Sequence, residues 1–344
     1  MLNRLKLRYT RGLISSVERS DVTRLTVPFF YPYGISEKRM SPEKPQYESP
    51  SQIQQLCMRI FAFVRTKLIP TSVLKRRMKT SKSPLMREFF RNPGGWQSME
   101  LIYENAKPAN LSDWYALKRL PLSMEARNRR KYVLHEFVSW MQENREREKL
   151  RILALGSGPA LEIQEAILAT SSNVIVDAVD RDASAIERGQ QVAQERGLNQ
   201  QISYCCGDVC EMMIQWSEKR YDLISLIGII EYLPDEVLLS LLKQLKNMMS
   251  PNAELFTHGY QNRFGAQESL GKLFNIQLIE RTSDQVTVLL NQAGLRVVKS
   301  EVTPLGAYPM IVSTQSREPA KEPISANRIA AIVDTDRKKS RLES

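Results

Sequence analysis

The 344-residue chain is poor in metal-binding and cross-linking side chains, with two histidines and four cysteines. Three of the cysteines, Cys205, Cys206 and Cys210, crowd into one short stretch far from Cys57. Such a set builds no disulfide framework and matches no common zinc spacing, so no metal is expected. Free thiols of this kind fit a reduced, cytoplasmic setting. No run approaches the eighteen or so uncharged apolar residues of a membrane-spanning helix, and no internal repeat is visible. Acids are also scarce in one region. Between residues 53 and 91 a single acid, Glu88, faces Arg59, Arg65, Lys67, Lys75, Arg76, Arg77, Lys79, Lys82, Arg87 and Arg91.

What is present is ordinary for a globular protein: 42% hydrophobic and 25% charged residues, with a formal charge of +11. The basic block attracts anionic partners over long range, or is simply a solvated face. Aromatic residues are not interleaved with it as a single-strand nucleic-acid binder requires, so nucleic acid is not the expected partner. The first 25 residues, rich in Arg and containing Ser, loosely resemble an organellar presequence, although Glu18 and Asp21 oppose that reading. Residues 28–50 read as an irregular linker. In 53–69, Ile53, Leu56, Ile60, Phe61, Val64 and Leu68 recur at helical spacing. That helix either docks its apolar face on the rest of the protein, the favoured reading, or lies with 53–91 on an anionic membrane surface.

From about Leu122 to Asn144 a helical run is expected, and beyond it the pattern changes. Short β-rich runs (RILALG, NVIVDAVD, QISYCC, YDLISLIG, AELFTHG, RVVKSEV, YPMIVST) alternate with helical segments, which predicts a parallel sheet flanked by helices. The first strand enters Gly156-Ser157-Gly158-Pro159-Ala160, a turn of small residues that lets a ligand approach the backbone. The second ends at Asp180, about twenty residues on, where an acid accepts from ribose hydroxyls; Asp182 suits the cap of the next helix better. The third ends in Gly207-Asp208-Val209. Asp208 there either accepts from an adenine amino group or is a turn residue. The fourth runs from Tyr221 to Gly228, a small residue that leaves room at the carboxyl edge.

Together these segments resemble the class I S-adenosylmethionine-dependent methyltransferases over about Arg151 to Thr314. LALGSGPA is similar to the family's glycine loop, VDAVDRD, with Asp180 and Arg181, to its ribose-binding strand end, and CCGDV to its adenine-contacting segment. YDLISLIGIIEYLPD resembles the fourth strand and the loop over the methionine end. The resemblance implies an α/β, Rossmann-like methyltransferase sheet, mostly parallel with the last strand antiparallel and carrying a helical N-terminal extension. It implies S-adenosylmethionine as cofactor, held by Gly156, Ser157, Gly158, Asp180, Arg181, Gly207, Asp208, Val209 and Gly228. Two positions depart from the pattern: Ala154 stands where many members have an acid for the methionine amino group, and Ala160 replaces a glycine. The Arg127-Asn128-Arg129 run, the Tyr-Asp-Leu-Ile start of strand four and its Gly-x-x-x-Tyr-Leu ending resemble a bacterial subgroup that includes enzymes forming methyl esters of 3-hydroxy fatty acids.

The expected division is a basic, irregular extension over 1–49, a helical cap over 50–124, the cofactor-binding domain over 125–315 and a disordered charged tail over 316–344. Methyl transfer to a small, apolar or carboxylate-bearing acceptor is the leading expectation. An RNA or protein methyltransferase and a non-catalytic adenosyl-binding module are the alternatives, and a nicotinamide-linked dehydrogenase is disfavoured by the incomplete G-x-G-x-x-G. His258, at the end of strand five, has two readings, general base or backbone-satisfied loop support. His135 reads as structural. Residues 50–124 and 261–285 are expected to form a lid over the acceptor, lined by Phe264, Leu270, Phe274 and Leu278. Oligomeric state is left open by the sequence.

Overall fold

A computed structural model describes residues 44–316. The presequence-like start, most of the linker and the charged tail therefore lie outside the described residues. Six helices precede the sheet: α1 (Gln52–Phe63), continued by a π-helical turn (Val64–Leu68), α2 (Thr71–Lys79), α3 (Pro84–Arg91), α4 (Trp96–Tyr103), α5 (Leu111–Lys118) and α6 (Pro121–Glu143). Local chemistry fixes their starts. The Ser51 hydroxyl and the Gln54 side chain form a capping box on α1, Ser83 caps α3, whose first residue is Pro84, and Asn110 caps α5.

The sheet then alternates with helices: β1 (Leu150–Leu155), α7 (Leu161–Thr170), β2 (Val174–Asp180), α8 (Ala183–Glu195), β3 (Ile202–Cys206), α9 (Val209–Gln215), β4 (Tyr221–Leu226), a 3-10 turn (Ile230–Tyr232), α10 (Asp235–Met248), β5 (Met249–His258), α11 (Ala266–Phe274), α12 (Ser283–Gln292), β6 (Leu295–Val302) and β7 (Pro309–Gln315). Strand order is β3-β2-β1-β4-β5-β7-β6. The first five strands are parallel and β7 runs antiparallel to both β5 and β6.

Central strands β1 and β4 are buried almost throughout because helices cover both faces, as in parallel sheets. One buried layer packs Phe137, Val138 and Met141 of α6 and Ile163 and Ile167 of α7 against Ile152, Val176 and Phe256. The other packs Leu238, Leu242 and Leu245 of α10 and Leu290 of α12 against Leu153, Leu155, Ile224 and Leu255. The order reverses between β1 and β4, which opens a crevice at their carboxyl ends, where open α/β sheets bind ligands.

One expectation is overturned. The helix at 53–69 does not bury the apolar stripe Ile53, Leu56 and Ile60: these residues are 55–76% exposed, and the side facing the protein carries Met58 and Ala62 instead. No helix among the described residues is long and apolar enough to cross a membrane.

Candidate functional site

The strand ends bring most of the sequence-predicted site residues to one edge. β1 runs into Gly156 and Gly158, both left-handed at φ +61° and +52°, and Ala160 joins them at +55°. A side chain at Gly156 would sit 2.1 Å from Ile229 Cγ2, so the turn nests against the loop after β4 only because that position is bare. The Ser157 N–H donates to Val179 O at 3.1 Å and the Gly207 N–H to Asp180 O at 3.0 Å, which staples the ends of β1, β2 and β3 together.

Asp180 is the hub of this edge. Its Oδ2 accepts from the Gly158 N–H at 2.8 Å and its Oδ1 from the Asp182 N–H at 2.9 Å. Asp182 caps α8 through the Ser184 N–H, as its alternative reading foresaw. Asp208 caps α9, its Oδ1 accepting from Cys210 N–H at 2.9 Å and from Glu211 N–H at 3.4 Å; capping is the use the structure gives it. Val209 opens α9 and packs on the core, and the Arg181 carbonyl accepts from the Cys206 thiol at 3.7 Å. Gly228, at φ +83°, has open space where a side chain would project.

On the far side of the reversal point lies a buried polar cluster. His258 is fully buried; its Nε2 accepts from the Gly228 N–H at 2.8 Å and its Nδ1 lies 2.7 Å from Gly259 O. This pairing makes Nδ1 the protonated nitrogen. Burial pushes its pKa below the ordinary histidine value; Arg129 adds to that, and Glu231 opposes it. With both nitrogens engaged, the geometry matches loop support and offers no free base. His258 Nε2 also lies 3.6 Å from Glu231 Oε2, and Arg129 Nη1 3.7 Å from Glu231 Oε1. Arg129 stacks 4.6 Å over the Tyr308 ring and donates to Tyr103 Oη at 3.3 Å. Burial, with Glu231 nearby, pushes the Tyr232 phenol up to about 12. Two buried oxygens here, Glu231 Oε2 and Tyr260 Oη, have no hydrogen-bond partner among the described residues. Such atoms are costly unless something completes them.

The cap reaches both halves. Trp96 donates from Nε1 to Ser184 Oγ at 2.9 Å, and Glu100 pairs with Arg188 at 2.9 Å. The segment 261–285 contains a helix, α11, that meets the cap: Phe274 stacks on Phe89 with centroids 6.3 Å apart, and Lys272 donates to the Thr66 carbonyl. Phe264 packs by Met58, Met124 and Leu305, whereas Leu278 lies against the main core. Sequence reasoning placed Arg129 only within a motif and did not foresee Glu231, Tyr260 or Tyr308. Their only signal in the sequence is that polar residues fall just beyond strand ends, at Glu231 and Tyr260, and just before one, at Tyr308.

Residues 152–252 match the family described as "Methyltransferase domain". The fold resembles the crystal structure of a possible exported protein from Bordetella parapertussis at 17% identity, covering 80% of this chain and 99% of that one with a TM-score of 0.58. Magnesium protoporphyrin IX methyltransferase from Synechocystis PCC 6803, with S-adenosylhomocysteine bound, aligns at 14% identity over 67% of this chain and 98% of its own, with a TM-score of 0.49. A search of curated proteins by sequence found no match.

Proposed function

We propose that this chain, an S-adenosylmethionine-dependent methyltransferase, methylates the carboxylate of a small acid that carries a hydroxyl group and an apolar tail. The observation that carries this reading is a buried cluster at the carboxyl edge of β4 and β5, in which Arg129 lies 3.7 Å from Glu231 Oε1 while Glu231 Oε2 and Tyr260 Oη have no hydrogen-bond partner among the described residues. A guanidinium binds a carboxylate through two parallel N–H donors. Glu231 Oε2 is acceptor-only while ionised, so it would take the hydrogen of a nearby hydroxyl. The half-buried side chains of Phe264, Leu270 and Phe274 offer the tail an apolar path beneath the cap. The sequence resemblance to enzymes acting on 3-hydroxy fatty acids points to the same chemistry.

The edge also fits the cofactor. We assign the turn Gly156–Gly158, with Ser157, to the methionine and ribose side. Asp180 and Arg181 fall to the ribose, Gly207, Asp208 and Val209 to the adenine, and Gly228 to the space between cofactor and acceptor. Open space at Gly228 and the bare Gly156 turn support that assignment. Bound there, S-adenosylmethionine supplies a methyl group already activated by the sulfonium charge. The chain's own task is placement. Arg129 orients the acceptor oxygen, the cap keeps water out, and His258 holds the Gly228 N–H that ends β4. A carboxylate is deprotonated near neutral pH, so no base is needed, and the closed hydrogen bonding of His258 fits its absence.

The test is a product assay with 3-hydroxy acids of graded chain length, against phenol and amine acceptors, alongside titration calorimetry. Ester formation that rises with chain length, with Arg129→Ala raising KM for the acid and leaving the adenosyl-ligand Kd unchanged, is expected. Tight adenosyl binding with methylation only of phenols or amines would defeat the acid reading. Separately, Asp180→Ala should weaken adenosyl binding by about 1–3 kcal/mol, as loss of hydrogen bonds to a charged acceptor does; an unchanged Kd removes Asp180 from the site.

A further inference from the structure

The helix that opens the described chain has two apolar faces, and only one is used. Met58 and Ala62, one turn apart, are buried, Met58 against Met124, Leu305 and Phe264 and Ala62 beside Gly265. On the opposite side, Ile53, Leu56, Ile60 and Phe63 follow at i, i+3, i+7 and i+10, a single stripe by helical periodicity. All four are more than half exposed, and Leu68, just past the helix, is 63% exposed. Exposed apolar side chains gathered in one patch mark an interaction surface; scattered ones do not.

Charge decides what the partner is. Arg59, Lys67, Lys75, Arg76, Arg77, Lys79, Lys82, Arg87 and Arg91 are all exposed, Arg65 is half-buried, and Glu88 is the sole acid from residue 52 to 91. We propose that this face docks on an anionic lipid bilayer, the stripe entering the acyl boundary and the cations of α2 and α3 engaging lipid phosphates. An amphipathic helix with apolar residues on one side and Lys and Arg around it has the build for that position. A second copy of the chain is disfavoured because a self-complementary contact would bring two basic blocks together. Nucleic acid gives four aliphatic and aromatic side chains nothing to bury against.

The placement has a functional sense, although it stands independently of the acceptor. The π-helical turn that continues α1 receives the Lys272 side chain of α11 on its Thr66 carbonyl, and Gly265 lies against Ala62 and Thr66. The docking helix thus contacts the lid segment directly, so a bilayer-bound enzyme would hold that segment near the lipid surface.

The full-length protein, mixed with phosphatidylcholine vesicles with and without phosphatidylglycerol, should co-sediment with the anionic vesicles only, and less so as salt rises. Replacing Ile60 and Phe63 with Asp should lower vesicle affinity at least about tenfold, and Arg76→Glu with Lys79→Glu should do the same. Calorimetric binding of S-adenosylhomocysteine, unchanged in each variant, shows that the fold survives. Wild-type protein that stays in the supernatant with anionic vesicles overturns the proposal, as does equal vesicle binding by the Ile60→Asp, Phe63→Asp variant. Sedimentation velocity showing a wild-type dimer that this variant dissociates assigns the face to a second copy, and RNA binding without vesicle binding assigns it to nucleic acid. Either result also overturns it.

Discussion

At the scale of single residues, backbone conformation and side-chain identity disagree at Ala160. It occupies the left-handed region at φ +55° as the residue before α7, where a glycine would be free of strain. An L-residue there costs about 1 kcal/mol relative to glycine. Ala160→Gly should therefore raise the melting temperature or leave it level, the gain being reduced by the greater freedom of glycine in the unfolded chain. A clear fall in calorimetric melting temperature would show that the methyl group, which is buried, contributes more by packing than it costs in strain. Ala154 is a different case: it lies fully within β1, flanked by Ala178 and Ser225 on the neighbouring strands. It offers nothing polar to a ligand.

At the scale of an element, β5 holds two titratable groups with opposite pH signatures. His258, at its end, has a folded-state pKa below its ordinary value of 6.5 because burial disfavours the cation. The unfolded chain therefore takes up that proton first, and stability is lost as pH falls below about 6.5 toward the folded-state value. Glu254, nearer the start, is pushed up from 4.5 to about 7 by burial and by Glu143 and Glu136. There the folded protein holds the extra proton, so stability declines as pH rises from 4.5 to about 7. Thermal melts should show Glu254→Gln more stable than wild type at pH 8, with the difference vanishing near pH 4. His258→Asn should lose stability at neutral pH yet show a flatter dependence below pH 6.5. If His258→Asn instead abolished a limb of the pH–rate profile while Glu231 and Gly228 stayed in place, the histidine would be the base after all.

The same strand shows what could and could not be read beforehand. Alternation of β-rich runs with helices located all seven strands, because each run is rich in β-branched and other apolar residues and separated from the next by turn or helical segments. The glycine turn and the Asp180 strand end were legible because they obey backbone rules that any ligand imposes. The partners of His258 were not, since they depend on how far β4 and β5 project beyond their last paired residues. Helix α11 was hidden in a long connection because its cap residue, Gly265, sits in the left-handed region and offers no side-chain cap bond to mark the start. The outward face of α1 was misread for a plainer reason: periodicity says that a stripe exists, and says nothing of which side of the helix meets the protein.

At the scale of the whole molecule, the helices of residues 50–124 meet α11 through the Phe89–Phe274 ring pair and the Lys272 bond to the Thr66 carbonyl. Phe274→Ala removes the ring stacked on Phe89 and leaves every strand-end residue untouched. It should raise KM for the acceptor several-fold, about 1 kcal/mol for a lost aromatic pair, while the adenosyl-ligand Kd stays constant. Equal losses in both would show that cap and cofactor edge are energetically one unit.

Helix α4 gives that division a limit. Its first residue, Trp96, is tied to the start of α8 through Ser184, its middle, Glu100, to Arg188, and its last, Tyr103, to Arg129. One rod is thus held at both ends, at Ser184 by the start of α8 and at Arg129 in the buried polar cluster. Lifting the rod would break both contacts together, so single-turnover experiments should find the two products leaving with one shared rate, set by an opening event that does not depend on which acceptor was methylated.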